Sequence, residues 1–157
     1  MINQVKLFGE RNTGSNYLEK LIQINLDDLQ YLKGTAPRML RAFLKPLGFY
    51  SREKLIDFYF SLTEDKNLGW KHACADMLDL YAAYEKENNQ VLFLCLIKNP
   101  YSFLLSLYKN PYHFNHQCST FSDFLRKEYT PHYREKSAIQ KYKNPIEIWN
   151  DKLRSYF

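Results

Sequence analysis

Gln4-Val5-Lys6-Leu7-Phe8-Gly9-Glu10-Arg11-Asn12-Thr13-Gly14-Ser15-Asn16-Tyr17 is the stretch whose reading sets the fold. Val5, Leu7 and Phe8 read as a short apolar strand that stops at Gly9. Tyr17, Leu18, Leu21, Ile22 and Leu26 recur at helical spacing, which predicts a helix over residues 15–26. A strand, a glycine-bounded turn and a helix N-terminus together present free backbone N–H groups and the positive end of a helix dipole. That arrangement suits a bound phosphate or sulfate. Gly9 and Gly14 make the Gly-x4-Gly frame of a Walker A loop, but Ser15-Asn16 stands where Lys-Ser/Thr would follow. A magnesium-dependent nucleotidase needs that lysine on the phosphates and that hydroxyl on the metal. A loop that holds an anion through N–H groups, with Thr13, Ser15 and Asn16 as side-chain donors, survives the change. Taken by itself, the motif fits an ordinary strand–helix turn equally well.

Working outward, Val91-Leu92-Phe93-Leu94-Cys95-Leu96-Ile97 is an unbroken apolar run, the pattern of a strand buried on both faces in a parallel sheet. Leu68 to His72 reads as a second short strand edge, followed by a helix with Met77, Leu78, Tyr81 and Tyr84 on one face. Between the first helix and that edge, Leu29 to Asn67 reads as a long insertion without strand character. It carries a short helix over Pro37–Leu44, a break at Pro46 and Gly48, and a helix from Ser51 to about Leu62. Lys33, Arg38, Arg41, Lys45, Arg52 and Lys54 within it form a solvated basic face or a flap over an acceptor. After the apolar run, Pro100 suits a first helical position, and a helix continues through Lys109 with Ser102 and Ser106 on one face. Further helices are expected at Thr120–Tyr129 and at Pro145–Tyr156. The whole is an α/β, three-layer, P-loop-type single domain over 1–157, with about three parallel strands flanked by helices. Ligands of such sheets bind beyond the carboxyl ends of the strands, here Gly9–Asn16, Lys71–His72 and Lys98–Asn99.

The 157 residues are 45% apolar and 25% charged, a globular composition. A net charge of +5 favours anionic partners, and its even spread along the chain favours one specific anionic ligand over nucleic acid. Cys74, Cys95 and Cys118 form no CxxC pair and leave one over, which points to a reducing compartment. With no signal-peptide pattern and no apolar run of about 20 residues, a cytoplasmic protein without a membrane span is expected. His113-x2-His116-x-Cys118 is a partial metal pattern with no fourth ligand in view, so no metal is expected. The oligomeric state is not encoded in any of these features.

The candidate chemistry lies at the three strand ends. Arg11 offers a cation to a transferring group. His72 can take a proton from an attacking hydroxyl near neutral pH, and neighbouring Lys71 can stabilise charge on the transferred group. Lys98 and Ser106, eight residues apart, can grip a second phosphate from a strand end and the helix after it.

Gly9–Leu18, Gly69–His72, Ile97–His113 and Asn144–Tyr156 resemble the P-loop sulfotransferases that use 3′-phosphoadenosine 5′-phosphosulfate (PAPS). The likeness is strongest to bacterial sulfotransferase-like proteins with a Gly-Glu-Arg-Asn-Thr-Gly start. The resemblance implies that Gly9, Arg11, Asn12, Thr13, Gly14, Ser15 and Asn16 hold the 5′-phosphosulfate. It places Lys98 and Ser106 at the 3′-phosphate, Lys71 on the sulfuryl group and His72 as the base. It implies a metal-free reaction with a hydroxyl or amine of a small-molecule or saccharide acceptor. The chain departs from the family in four ways. Asn12 stands where many members have a loop lysine, so Arg11 would supply that charge. Lys98 replaces an arginine and loses its bidentate fork. His72 follows Lys71 without an intervening residue. Family members continue past the Trp149–Tyr156 helix into another strand, which makes a truncated or minimal relative the expectation. A catalytically inactive PAP- or PAPS-binding protein is the alternative reading, and a kinase-like phosphotransferase is disfavoured by the missing Walker lysine.

Overall fold

A computed structural model describes residues 2–37, 39–40, 52–75, 91–111 and 118–157. Strand β1 (Gln4–Gly9) leads through the glycine-bounded loop into helix α1 (Ser15–Asn25), and β2 (Gln30–Leu32) follows. Helix α2 (Arg52–Asn67), strand β3 (Val91–Leu96), α3 (Pro100–Lys109), the short α4 (Phe121–Phe124), a 3₁₀ turn at Tyr133–Glu135 and α5 (Pro145–Tyr156) complete the described chain. The sheet is parallel with order β2-β1-β3, and Gln4 lies opposite both Gln30 and Val91. The expected α/β class with a short three-stranded parallel sheet is therefore present.

Its strands are not all the expected ones. The strand buried on both faces is β1, where Val5, Lys6, Leu7, Phe8 and Gly9 are all buried, whereas every residue of β3 is only half-buried. Position in the sheet decides this: β1 pairs on both sides, while among the described residues β3 pairs only with β1. The second correction is β2, which lies inside the supposed strandless insertion. Three residues with only Leu32 buried are too short to show a period-two signal. The third is Leu68–His72, which forms turns rather than a strand. Leu68 and Gly69 take left-handed conformations at φ 59° and 74° and close α2.

Lys71 carries the segment's backbone bonds toward the sheet, its N–H donating to Gly34 O just beyond β2 at 3.0 Å and its carbonyl accepting from Gly9 N of β1 at 2.9 Å. A Cβ on Gly34 would sit 2.5 Å from Lys71 Cβ, so the close approach requires glycine there.

Helix α2 runs past the expected Leu62 to Asn67. The Thr120–Tyr129 helix is only α4 long, because Tyr129 instead exchanges two backbone hydrogen bonds with Tyr142 at 2.9 and 2.8 Å. The helix expected around Met77–Tyr84, most of the one over Pro37–Leu44, and His113 with His116 lie outside the described residues.

Helix starts follow the sequence closely. Asn99, Thr120 and Asn144 each accept a backbone N–H with the side chain, and Pro100 and Pro145 open α3 and α5. Phe103, Leu104 and Leu107 of α3 pack with Phe124, Tyr129, Tyr142 and Ile148 as one apolar cluster. Within it the Tyr129 and Tyr142 rings stack 5.9 Å apart. This cluster carries α5 across to the end of the sheet where the loop lies.

The centre of β1 holds a lysine. Lys6 is fully buried, its Nζ donates to Asn67 O and Gly69 O at 2.5 Å each, and it lies 5.3 Å from the Phe8 ring centroid. It thereby ties the end of α2 to the sheet. Burial lowers its pKa from 10.5 to about 7, against an opposing pull from Glu19. The unfolded chain then binds more protons between pH 7 and 10.5, so this residue makes stability rise with pH through that window. Cys74 and Cys95, whose thiols burial pushes from 9 up to about 11, act in the opposite sense above pH 9. Unfolding free energy by urea titration should therefore rise by about 2 kcal/mol between pH 7 and 9 and stay flat in Lys6→Met. Equal slopes in the two proteins would contradict this account.

Candidate functional site

The loop between β1 and α1 is shaped by short-range bonds. Thr13 Oγ1 and Thr13 N both donate to Glu10 O, at 2.5 and 3.3 Å. Asn12 and Gly14 take left-handed conformations at φ 63° and 95°. Asn tolerates that region and Gly occupies it freely. A β-carbon on Gly9 would lie 3.2 Å from Leu96 Cβ and 3.3 Å from Thr13 Oγ1, so the loop packs tightly on β3. The backbone N–H groups of Asn12, Gly14, Ser15 and Asn16 make no hydrogen bond to the described residues. Gly14 as N-cap supplies no side chain to satisfy them. The Ser15 hydroxyl is likewise without a partner among the described residues. Alternating backbone hands with unbonded N–H groups at a helix start are the kind of arrangement that can hold an anion.

Lys98 and Ser106 meet. Lys98 Nζ donates to Ser106 Oγ at 2.7 Å and to Asn12 O at 3.1 Å, joining β3's end, α3 and the loop. Asn12 Nδ2 donates to Asn110 O at 3.4 Å on the same helix end, and Trp149 Nε1 donates to Lys98 O at 2.9 Å. The half-buried ammonium is thus held beside the free N–H groups with no carboxylate on it among the described residues.

His72 also belongs to this strand end. Its Nδ1 lies 2.6 Å from Gly9 O, and since a carbonyl only accepts, Nδ1 carries the proton. Nε2 then bears the lone pair and has no partner among the described residues. Burial, and next the charge of Arg11, hold the imidazole pKa well below 6.5. The ring is neutral at pH 7, with Nε2 ready to accept a proton. Its ring stands edge-on to Trp70 at 5.3 Å.

Arg11 lies elsewhere. It is 7% exposed, and its guanidinium donates to Glu10 Oε1 and Glu135 Oε1 at 3.0 Å each while lying 4.7 Å over the Trp70 ring. Burial works against its charge, but Glu10 and Glu135 outweigh it and raise the pKa. Lys71 is also committed, with Nζ 2.6 Å from Asn16 Oδ1 and 2.9 Å from Glu19 Oε2. Of the cations expected at the site, only Lys98 is brought to the loop without a carboxylate partner among the described residues.

The carboxylates that absorb the other charges were not anticipated from the sequence. Glu135 Oε1 also accepts from Tyr129 OH at 2.6 Å, and Lys152 Nζ donates to His72 O at 2.6 Å. The same ammonium lies 3.6 and 3.5 Å from Glu10 Oε2 and Glu135 Oε2. Lys152 was the legible member: Ile148, Lys152 and Tyr156 fall at i, i+4 and i+8, and all three are buried on one face of α5. Glu135, distant in sequence and flanked by Arg134 and Lys136, carries no such signal.

A buried ion cluster is sensitive to losing one partner, because the charge left behind has no water. Glu135→Leu should lower the unfolding free energy by about 3 kcal/mol, read from the urea midpoint, whereas exposed Glu128→Gln should change it by under about 1 kcal/mol. No family model, curated protein or solved structure matches the chain, so the site stands on its own geometry.

Proposed function

We propose that the loop and Lys98–Ser106 bind a nucleotide with anionic groups at both its 5′ and 3′ positions, and that the chain transfers a sulfuryl group from PAPS to a hydroxyl or amine of a small-molecule or saccharide acceptor. The observation that carries the reading is Lys98 Nζ, held between Ser106 Oγ and Asn12 O beside four loop N–H groups that have no partner among the described residues. Two anion-binding elements within reach of one ammonium suit a ligand with two anionic ends better than a single phosphate.

In this reading the N–H groups of Asn12, Gly14, Ser15 and Asn16 take the 5′-phosphosulfate, and Lys98 with the Ser106 hydroxyl takes the 3′-phosphate. The acceptor oxygen or nitrogen attacks sulfur, and its proton passes to Nε2 of His72. The bond from sulfur to the bridging oxygen breaks, and its electron pair leaves on the bisphosphate nucleotide. In this reading the loop's N–H dipoles stabilise the charge that develops on that oxygen.

A second reading has an observation of its own. Arg11 and Lys71, the two cations the resemblance assigns to the sulfuryl end, are taken up by Glu10, Glu135 and Glu19. A site stripped of cations at that end supports nucleotide binding without transfer.

Isothermal calorimetry with adenosine 3′,5′-bisphosphate should give binding that weakens about tenfold or more in Lys98→Ala. Sulfur-35 transfer from labelled PAPS to a glycan panel should then be lost in His72→Ala while bisphosphate binding persists. No binding by the wild-type chain sinks both readings, and binding without any transfer leaves the second.

A further inference from the structure

Lys71 is the least explained cation of the site. It is fully buried, its side chain is 1% exposed, and its ammonium is shared between Asn16 Oδ1 at 2.6 Å and Glu19 Oε2 at 2.9 Å. Three elements fix it there. Gly34 O and Gly9 N hold its backbone from either side, and Gly34 packs against its Cβ with no room for a side chain. Residues Asn16 and Glu19, three apart on the first turn of α1, present their oxygens to one point. The charge of Lys71 is therefore spent on Glu19, and its side chain has no exposed surface to offer a ligand.

Asn16 is exposed, and its two amide atoms differ in what they can meet. An ammonium only donates, so the atom facing Lys71 is the oxygen, and Nδ2 with its two hydrogens points the other way. The Asn16 backbone N–H at the same helix start also has no partner among the described residues. A cation on the amide oxygen further polarises the N–H bonds opposite it.

We infer that Lys71 is a positioning residue: it locks the Asn16 side chain with Nδ2 outward, so that a neutral amide donor, and not the lysine itself, meets the 5′ anion of the bound nucleotide. This rests on the anion-loop reading above and departs from the role the family resemblance gives Lys71. It makes the loop's contacts to that anion neutral throughout, four backbone N–H groups and one amide.

The test is a double-mutant cycle on adenosine 3′,5′-bisphosphate binding, with the Asn16 side-chain NH₂ resonances followed by ¹⁵N NMR. Lys71→Met and Asn16→Ala should each weaken binding about tenfold, and the double variant should be no weaker than either single one. The Asn16 NH₂ signals should move on titration of the wild type and not of Lys71→Met. Additive losses, or Asn16 signals that still move in Lys71→Met, overturn the inference and leave the anion-loop reading standing. Failure of the wild type to bind removes both. Should Lys71→Met fail to fold, Asn16→Asp decides, since it keeps an oxygen for Lys71 and suits a helix N-terminus but has no NH₂. It should weaken binding as Asn16→Ala does, and full affinity in that variant overturns the inference.

Discussion

Glu10, Arg11, Glu135 and Lys152 meet in the interior as two acids and two bases, and the arrangement of the site depends on their mutual neutralisation. Each is 7% exposed or less, and a charge so buried is tolerable only when partnered. Arg11 reaches both carboxylates, Lys152 approaches the oxygens that Arg11 leaves, and the Trp70 ring covers the guanidinium. Because Glu10 and Arg11 begin the loop while Glu135 and Lys152 belong to the C-terminal segment, the cluster fastens the two together. Burial raises the Glu10 pKa, but Arg11 and Lys152 pull it down by more, so the acid stays ionised at neutral pH. The Lys152 bond to His72 O adds a third segment to the same junction.

From that junction the remaining geometry follows. With Arg11 drawn inward, the loop turns through the left-handed Asn12 and Gly14, and the N–H groups of Asn12, Gly14, Ser15 and Asn16 find no partner among the described residues. His72 is pinned by Gly9 O, which selects its tautomer, and burial beside Arg11 keeps it neutral. Lys71 serves α1 and Lys98 serves the loop and α3. Positive charge is abundant at this end of the sheet, yet most of it is committed to internal carboxylates. Under the proposed function, anion recognition falls to dipoles and to one ammonium, groups whose direction is already fixed by the fold.

Much of this was legible in the sequence, and what was not has physical reasons. The strand–glycine–helix reading of residues 4–26 and the proline-opened starts of α3 and α5 rest on local chemistry, and each element lies where that chemistry puts it. Lys98 and Ser106 were paired by their eight-residue spacing and by the family resemblance, and a strand end does lie close to the second turn of the helix that follows it. The buried strand was misassigned because the run Val91–Ile97 is more apolar than Val5–Phe8, whose central residue is a lysine. Only the bonds of Lys6 to Asn67 O and Gly69 O make that position tolerable, and those partners lie more than 60 residues away. β2 is too short for periodicity, and the fates of Arg11 and Lys71 were decided by Glu135 and Glu19, whose approach is tertiary.

The central claim is that the free N–H groups of the loop receive an anion, and amide chemical shifts report on them directly. Titrating ¹⁵N-labelled protein with adenosine 3′,5′-bisphosphate should move the backbone resonances of Asn12, Gly14, Ser15 and Asn16 together, with one saturating curve shared by residues around Lys98 and Ser106. Shifts confined to exposed lysines, or a loop that stays silent while other residues respond, would contradict the account.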